Sequence, residues 1–382
     1  MKALILSCAT GEGHNSAAKA LYEYFRLSGI ECEKVDTLSL ISPVVSQTVS
    51  DLYIFSTKTR LFELIYNTGT VVSKNIFRSP VYYANKLYCG KLLEYIQKNK
   101  FDTLICTHLF PAEALSSLIK SGVLRLTSVF ISTDYTCMPF LNETRLDYYV
   151  IPHEHLIEEY VKNKLPREKI LPYGIPVKQE FYTAQSKALA RKECKRVFGN
   201  EINEHVNWLL IMLGSMGFGN IKGLIKQLIS DMKKDSFEIF LVCGNNAKLK
   251  AEFNMEFGHI STITVLGFTN KIATLMDACD VLFTKPGGLS STEAAAKHIP
   301  IIHTSPIPGI ESKNAYFFHH HGMSYSTTDV KEQVSRALRL CNDKPYRERM
   351  IAAQKMHINA NSSADILSIC MQSVQSGSGE KV

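Results

Sequence analysis

The chain has 382 residues, more than one hydrophobic core usually serves, so two domains are expected. At 45% hydrophobic and 21% charged it has an ordinary globular composition, which excludes a disordered or fibrous chain. The net charge of +7 is modest, and no nucleic-acid partner is expected. No window reaches the roughly 18 consecutive apolar residues of a membrane-spanning helix. The N-terminal M-K-A-L-I-L-S-C-A-T lacks the pattern of a signal peptide, so a cytoplasmic protein is expected. Ten cysteines are scattered with no C-x-x-C pair, so neither a disulfide framework nor a structural zinc site is expected.

In chain order, strands alternate with helices. K-A-L-I-L-S at 2–7 is a continuous apolar run, followed by the turn G-E-G-H-N and the helical spacing of S-A-A-K-A-L-Y-E-Y-F. C-E-K-V-D-T-L reads as a second strand, and residues 40–100 as mostly helical. T-L-I-C-T-H (103–108), S-V-F-I-S-T-D (128–134) and D-Y-Y-V-I-P (147–152) read as further strands, with the unbroken apolar character of a buried parallel sheet. L-P-Y-G-I-P-V at 171–177 breaks the pattern and marks a domain junction. The second half starts again with the strand W-L-L-I-M-L-G (208–214) and the turn G-S-M-G-F-G. E-I-F-L-V-C-G, S-T-I-T-V-L-G-F, D-V-L-F-T-K and I-P-I-I-H-T follow as strands with helices between them. A helical tail begins near 331, and its end, Q-S-G-S-G-E-K-V, is expected to fray. Two tandem α/β units predict two doubly wound domains with a cleft between them.

Two glycine turns carry the chemistry. In F-T-K-P-G-G-L-S-S-T-E (283–293), Gly287 and Gly288 follow a strand and open a helix. Such a turn admits a ligand close to the backbone and aims helix N–H groups at an anion, with diphosphate the natural guest. Ser290, Ser291 and Thr292 either add hydroxyl donors or cap the helix. Glu293 either accepts from a ribose diol or is a first-turn carboxylate. Lys285 either neutralises phosphate or is a solvated edge lysine. The G-S-M-G-F-G turn offers Gly214, Ser215 and Gly217 as weaker phosphate contacts. The other turn, A-T-G-E-G-H-N, places His14 at a helix N-terminus. There the dipole lowers a histidine pKa, leaving a neutral ring able to accept a proton, unless His14 only caps or fills the core. Asp134, ending its strand, either orients that histidine or caps the next segment. The run His319-His320-His321 is not expected to bind metal, because adjacent residues on a helix do not share a face. Between residues 56 and 100, eight Lys or Arg stand against two Glu among many aromatic and aliphatic residues. Such a stretch suits an anionic bilayer surface or a solvated face on core helices.

Together T-G-E-G-H-N-S-A-A, I-S-T-D-Y-T, T-K-P-G-G-L-S-S-T-E-A and P-I-P-G-I-E-S-K-N-A resemble the glycosyltransferases that include monogalactosyldiacylglycerol synthases and processive diacylglycerol glucosyltransferases. The resemblance runs from Met1 to about Ser363. It implies a GT-B fold: two Rossmann-like domains facing a central cleft, with the last helix crossing back to the first domain. The implied boundaries are 1–172 for an acceptor and membrane-docking domain, 173–360 for a UDP-sugar domain, and 361–382 for the final helix and tail. It implies an inverting transfer of a hexose from a UDP-sugar to the hydroxyl of a diacylglycerol-type lipid, with no metal or other cofactor. Gly287, Gly288, Ser290 and Ser291 would meet the diphosphate; Lys285, Gly214 and Ser215 remain the donor contacts read from their own turns. Glu293 would meet the ribose, Gly267 and Phe268 the uracil, and Glu311 and Asn314 the donor sugar. Gly13, in the G-x-G-H turn, counts among the donor contacts. His14 matches the family's essential histidine, with Asp134 beside it. The 56–100 segment matches a membrane-docking region, implying peripheral association with the inner face of the cell membrane. The chain departs from the family at Glu12, where a glycine or asparagine is usual. It also lacks the tryptophan often found after Asp134, its one tryptophan being Trp208. Other readings are a transferase acting on another lipid-linked or small acceptor, and a UDP-sugar 2-epimerase. An epimerase shares the donor site but needs several acid–base groups around the sugar and no docking segment. A UDP-sugar sensor would not need His14. A dehydrogenase would need G-x-G-x-x-G after the first strand, which G-E-G-H-N-S does not supply.

Overall fold

The computed structural model describes residues 1–8, 12–40, 88–199, 201–213, 220–231 and 236–377. The chain divides into two compact units, one formed by Met1–Gln179 with Asn359–Val382 and the other by Glu180–Ile358.

The first unit is a six-stranded, all-parallel sheet: β1 Lys2–Ser7, β2 Glu31–Asp36, β3 Thr103–Cys106, β4 Thr127–Ile131, β5 Tyr148–Val150 and β6 Ile170–Leu171. Its order is β2-β1-β3-β4-β5-β6. Apolar runs form the central strands because helices cover both faces. Every residue of β3 is buried, as is all of β1 beyond Lys2. The first helix, Glu12–Leu27, buries Ala17, Ala18, Leu21 and Phe25, a one-sided helical spacing. The last helix, Ser362–Gly377, adds Ile366, Leu367 and Cys370 to the core around Ile5, Ile105 and Val129. The C-terminal helix therefore belongs to the first unit, as the crossing-back topology requires. Asn359 and Ser362 fasten its start by hydrogen bonds to the carbonyls of Tyr173 and Gly174.

The second unit repeats the plan with β7 Asn207–Met212, β8 Phe237–Val242, β9 Ile263–Leu266, β10 Val281–Thr284, β11 Ile301–His303 and β12 Tyr325–Ser326. All are parallel, in the order β12-β11-β10-β7-β8-β9. Trp208 is fully buried, packs on Phe240, and donates its indole N–H to the Asn203 carbonyl over 2.8 Å. The two-residue strands β6 and β12 extend each sheet where no strand was expected from sequence. At that length neither alternation nor an apolar run can announce a strand.

Strand order reverses between β1 and β3 in the first unit and between β7 and β10 in the second. At such switch points the loops leaving neighbouring strands diverge, opening a crevice at the carboxyl edge of the sheet. His14 follows β1, and Lys285 to Gly288 follow β10, so both glycine turns lie at switch points. The expected helical region 40–100 falls largely outside the described residues. Its described end is the helix Cys89–Asn99.

Candidate functional site

In the first unit, half-buried His14 is gripped by the end of β3. Its ring Nδ1 lies 2.7 Å from the Thr107 carbonyl oxygen and 2.9 Å from the Thr133 hydroxyl. The Thr107 hydroxyl in turn donates to the His14 carbonyl over 3.0 Å. A carbonyl only accepts, so Nδ1 carries the proton. In the neutral ring this leaves Nε2 as the unprotonated, basic nitrogen. Burial lowers the His14 pKa, against the opposing pulls of the Asp134 carboxylate and the Thr107 carbonyl. The ring is therefore neutral near pH 7.

His108 stands edge-on to His14, with ring centroids 4.7 Å apart at 84°. Its Nδ1 accepts from the Phe110 N–H over 3.1 Å and so caps the helix Leu109–Lys120. Burial pushes the His108 pKa well down, and the neighbouring His14 adds to the shift. The segment carrying Thr133 and Asp134 is braced by Tyr160, whose hydroxyl bonds Ser132 Oγ at 2.7 Å and the Thr136 carbonyl at 3.0 Å. Asp134 is half-buried, and its charge acts on His14. Thr107 and Thr133 supply orienting contacts to Nδ1 that the sequence did not announce. Gly13 sits in the first turn of the helix Glu12–Leu27.

In the second unit, the helix Gly288–Ala296 starts at Gly287, and no side chain caps its N-terminus. Gly287 has φ −71°, which any residue adopts, and nothing among the described residues lies within 4 Å of where a Cβ would stand. Neither backbone nor packing explains the glycine, and the space before it is open. Lys285 Nζ sits 2.7 Å from Glu311 Oε1, while Glu311 Oε2 accepts from the Ile307 N–H at 2.9 Å. Ser290 and Glu293 are half-buried on the helix surface. Phe268 is 73% exposed, and Gly267 lies against the Lys250 side chain.

Two residues expected at the donor turn inward instead. Ser291 is fully buried, its hydroxyl 2.9 Å from His303 Nε2. Asn314 is also fully buried and donates from Nδ2 to the Pro286 carbonyl over 3.0 Å. Both shape the loop, Asn314 by holding its backbone and Ser291 by anchoring the helix that follows. Thr292 bonds back to the Gly288 carbonyl at 2.7 Å, which leaves Ser290 as the half-exposed hydroxyl of the three. Gly214 and Ser215 lie outside the described residues. Sequence reasoning missed Thr107, His108, Thr133 and His303. The only available signal was that 107–108 and 303 end apolar strands at the same edge as the glycine turns.

Among the described residues, no group of three or more His, Cys, Asp and Glu is placed to hold a metal ion. His321 stacks on Phe317, with ring centroids 4.1 Å apart. A separate pocket of about 350 Å³ in the second unit is lined by Glu180, Glu193, Asn270, Lys271, Asp277 and Lys297. Four of its five charges pair with one another, Lys271 with Glu193 and Lys297 with Asp277.

Comparison with known proteins covers both units. Residues 14–177 match the family model for monogalactosyldiacylglycerol (MGDG) synthase, and residues 208–368 match the glycosyltransferase family 28 C-terminal domain. A processive diacylglycerol beta-glucosyltransferase of Bacillus pumilus is 28% identical over 97% of this chain and 95% of its own length. One from Bacillus cereus strain B4264 is 28% identical over 93% and 89%. Among solved structures, MurG of Acinetobacter baumannii superposes with a TM-score of 0.63 at 13% identity, over 97% of this chain and all of that one. UDP-GlcNAc 2-epimerase of Neisseria meningitidis, bound to UDP-GlcNAc, gives 0.62 at 13% identity over the same shares. At such identity these two structures speak for the fold alone.

Proposed function

We propose that this chain, which has the two Rossmann-like units of a GT-B fold and matches the MGDG-synthase model in its first half and the glycosyltransferase family 28 model in its second, transfers a hexose from a UDP-sugar to the hydroxyl of a diacylglycerol-type lipid. The observation that carries the catalytic part is the state of His14. Its Nδ1–H is committed to the Thr107 carbonyl, so Nε2 is the nitrogen that can accept a proton. In the proposed step the acceptor hydroxyl oxygen attacks the sugar C1 in line. The C1–O bond to the diphosphate breaks, UDP leaves with the electron pair, and His14 Nε2 takes the hydroxyl proton. One displacement inverts the anomeric centre.

The second unit is assigned the donor. The uncapped start of the Gly288–Ala296 helix would face the diphosphate, with Gly287 and Gly288 allowing close approach and Ser290 adding a hydroxyl. Its dipole and N–H groups would stabilise the leaving group, so the step is assigned no metal ion. Glu293 would accept from the ribose diol, exposed Phe268 would lie against the uracil, and Glu311 would meet the sugar hydroxyls. Gly214 and Ser215, in the G-S-M-G-F-G turn, would add weaker contacts to the diphosphate.

The lipid acceptor rests on the MGDG-synthase match over 14–177 and on the similarity to proteins named diacylglycerol glucosyltransferases. The basic, aromatic segment 56–100 suits an anionic membrane surface, and no described helix is long and apolar enough to cross a membrane. Peripheral attachment at the inner membrane face follows from this reading. Liposomes containing diacylglycerol, incubated with the protein and a panel of UDP-hexoses, should yield a glycolipid with one of them. UDP release with no lipid product across the panel would refute the lipid acceptor.

A further inference from the structure

His303 ends β11 with no solvent exposure, a buried titratable side chain to which the proposed chemistry gives no part. Both ring nitrogens are engaged: Nε2 with the Ser291 hydroxyl at 2.9 Å and Nδ1 with the Ser324 hydroxyl at 3.0 Å. Phe318 packs edge-on against the ring, with centroids 5.5 Å apart. Burial pushes the His303 pKa down to about 3, with His319 adding to the shift, so the ring is neutral under ordinary conditions. A neutral imidazole offers one donor and one acceptor, and a hydroxyl can play either part, so both bonds are satisfied in either tautomer.

The Ser291 end of this chain fixes the rotation of the Gly288–Ala296 helix about its axis. That helix reads G-L-S-S-T-E-A-A-A and is buried almost all round. Apart from Leu289 its buried apolar side chains are alanines, which give little rotational preference, so a polar anchor helps to choose the face. Successive residues lie about 100° apart around a helix. With Ser291 turned to His303, Ser290 lies about 100° away and Glu293 about 200° away. Both are half-buried at the surface, while Ser291 and Thr292 are buried. The same loop is held at two other points by the following helix, through Lys285–Glu311 and through Asn314 on the Pro286 carbonyl.

We infer that His303 is a positioning residue for the nucleotide: through Ser291 it sets the helix rotation that aims Glu293 at the ribose diol. This rests on the donor reading above. It assigns to a buried strand-end histidine a part of the nucleotide preference.

The test compares binding of UDP and 2′-deoxy-UDP by calorimetry in the full-length protein, because only the first offers both hydroxyls to Glu293. Wild type should bind UDP about tenfold or more tightly than the deoxy form, the worth of a hydrogen bond to a charged group. In Glu293→Gln the two affinities should converge. In His303→Leu, and in the milder Ser291→Ala, the ratio should also fall, to within about twofold, in protein whose circular dichroism is native. A purely structural histidine would lower thermal stability and leave the ratio alone. If Ser291→Ala keeps the wild-type ratio while Glu293→Gln loses it, this inference is overturned and the donor reading stands. If Glu293→Gln keeps the ratio, or wild type does not bind UDP, both fall together.

Discussion

In the proposed transfer, His14 suits the part of the base because of what holds it. The Thr107 carbonyl fixes the tautomer, and burial keeps the ring neutral. A base must be unprotonated to act, so transfer should fall as pH drops through the folded-state pKa of His14. That pKa lies below the ordinary histidine value of about 6.5, since burial disfavours the cation. The Asp134 charge opposes this shift. Asp134→Asn should therefore move the acid limb of the pH–rate profile to still lower pH, and a move to higher pH would contradict the electrostatics. Gly287 allows a second test at this scale. With an ordinary φ and open space where a Cβ would stand, Gly287→Ala should leave thermal stability within about 0.5 kcal/mol of wild type. Its UDP affinity should nevertheless fall, because the methyl group meets the ligand. Unchanged affinity would remove the diphosphate from this turn.

Among the elements, the loops after β10 and β11 depend on anchors that can be broken one at a time. Gly309, at the start of the helix Ile310–His320, has φ +103° and ψ −114°, a region that L side chains avoid. Gly309→Ala should cost about 1–3 kcal/mol in denaturant unfolding through backbone strain. It should also disturb Glu311, whose carboxylate accepts from the Ile307 N–H on the near side of that turn. Just past the end of the Gly288–Ala296 helix, Lys297 is paired with Asp277, their side chains only 2% and 4% exposed, and it also reaches the Thr183 carbonyl. Lys297→Met should destabilise the second unit by about 3–5 kcal/mol, because it strands a buried carboxylate. Adding Asp277→Asn should recover part of that loss, and a strictly additive double variant would contradict the pairing. His303 shapes the acid stability of the same region. Its folded pKa of about 3 lies below the unfolded value of about 6.5. Its contribution is therefore complete above about pH 6.5 and is lost as pH falls toward 3.

The two sheets, their parallel strands and the return of the last helix were legible because buried parallel strands are long apolar runs and the motifs resemble one family. The strands β6 and β12 were not, each having only two residues. The direction in which residues of the Gly288–Ala296 helix point was also hidden. A segment buried on nearly every side has no polar face to mark its outward side, so Ser291 read the same as Ser290 until His303 was in place. The grip on His14 was hidden for a different reason. Thr107 lies 93 residues away in sequence, and only the crossing from β2 to β3 brings it alongside. An acid beside a histidine can be read from sequence, as Asp134 was, whereas a backbone carbonyl leaves no mark there.

One measurement bears most directly on His14 as the base of the proposed transfer. It is glycolipid formation on diacylglycerol liposomes under saturating UDP-hexose, compared between wild type and His14→Ala, with UDP affinity measured in parallel. The expected result is a glycolipid product from wild type and a turnover lower by about 10²–10⁴-fold in His14→Ala, the usual worth of a positioned base, with UDP affinity unchanged. Full turnover in His14→Ala, or a loss explained wholly by weaker UDP binding, would contradict the account.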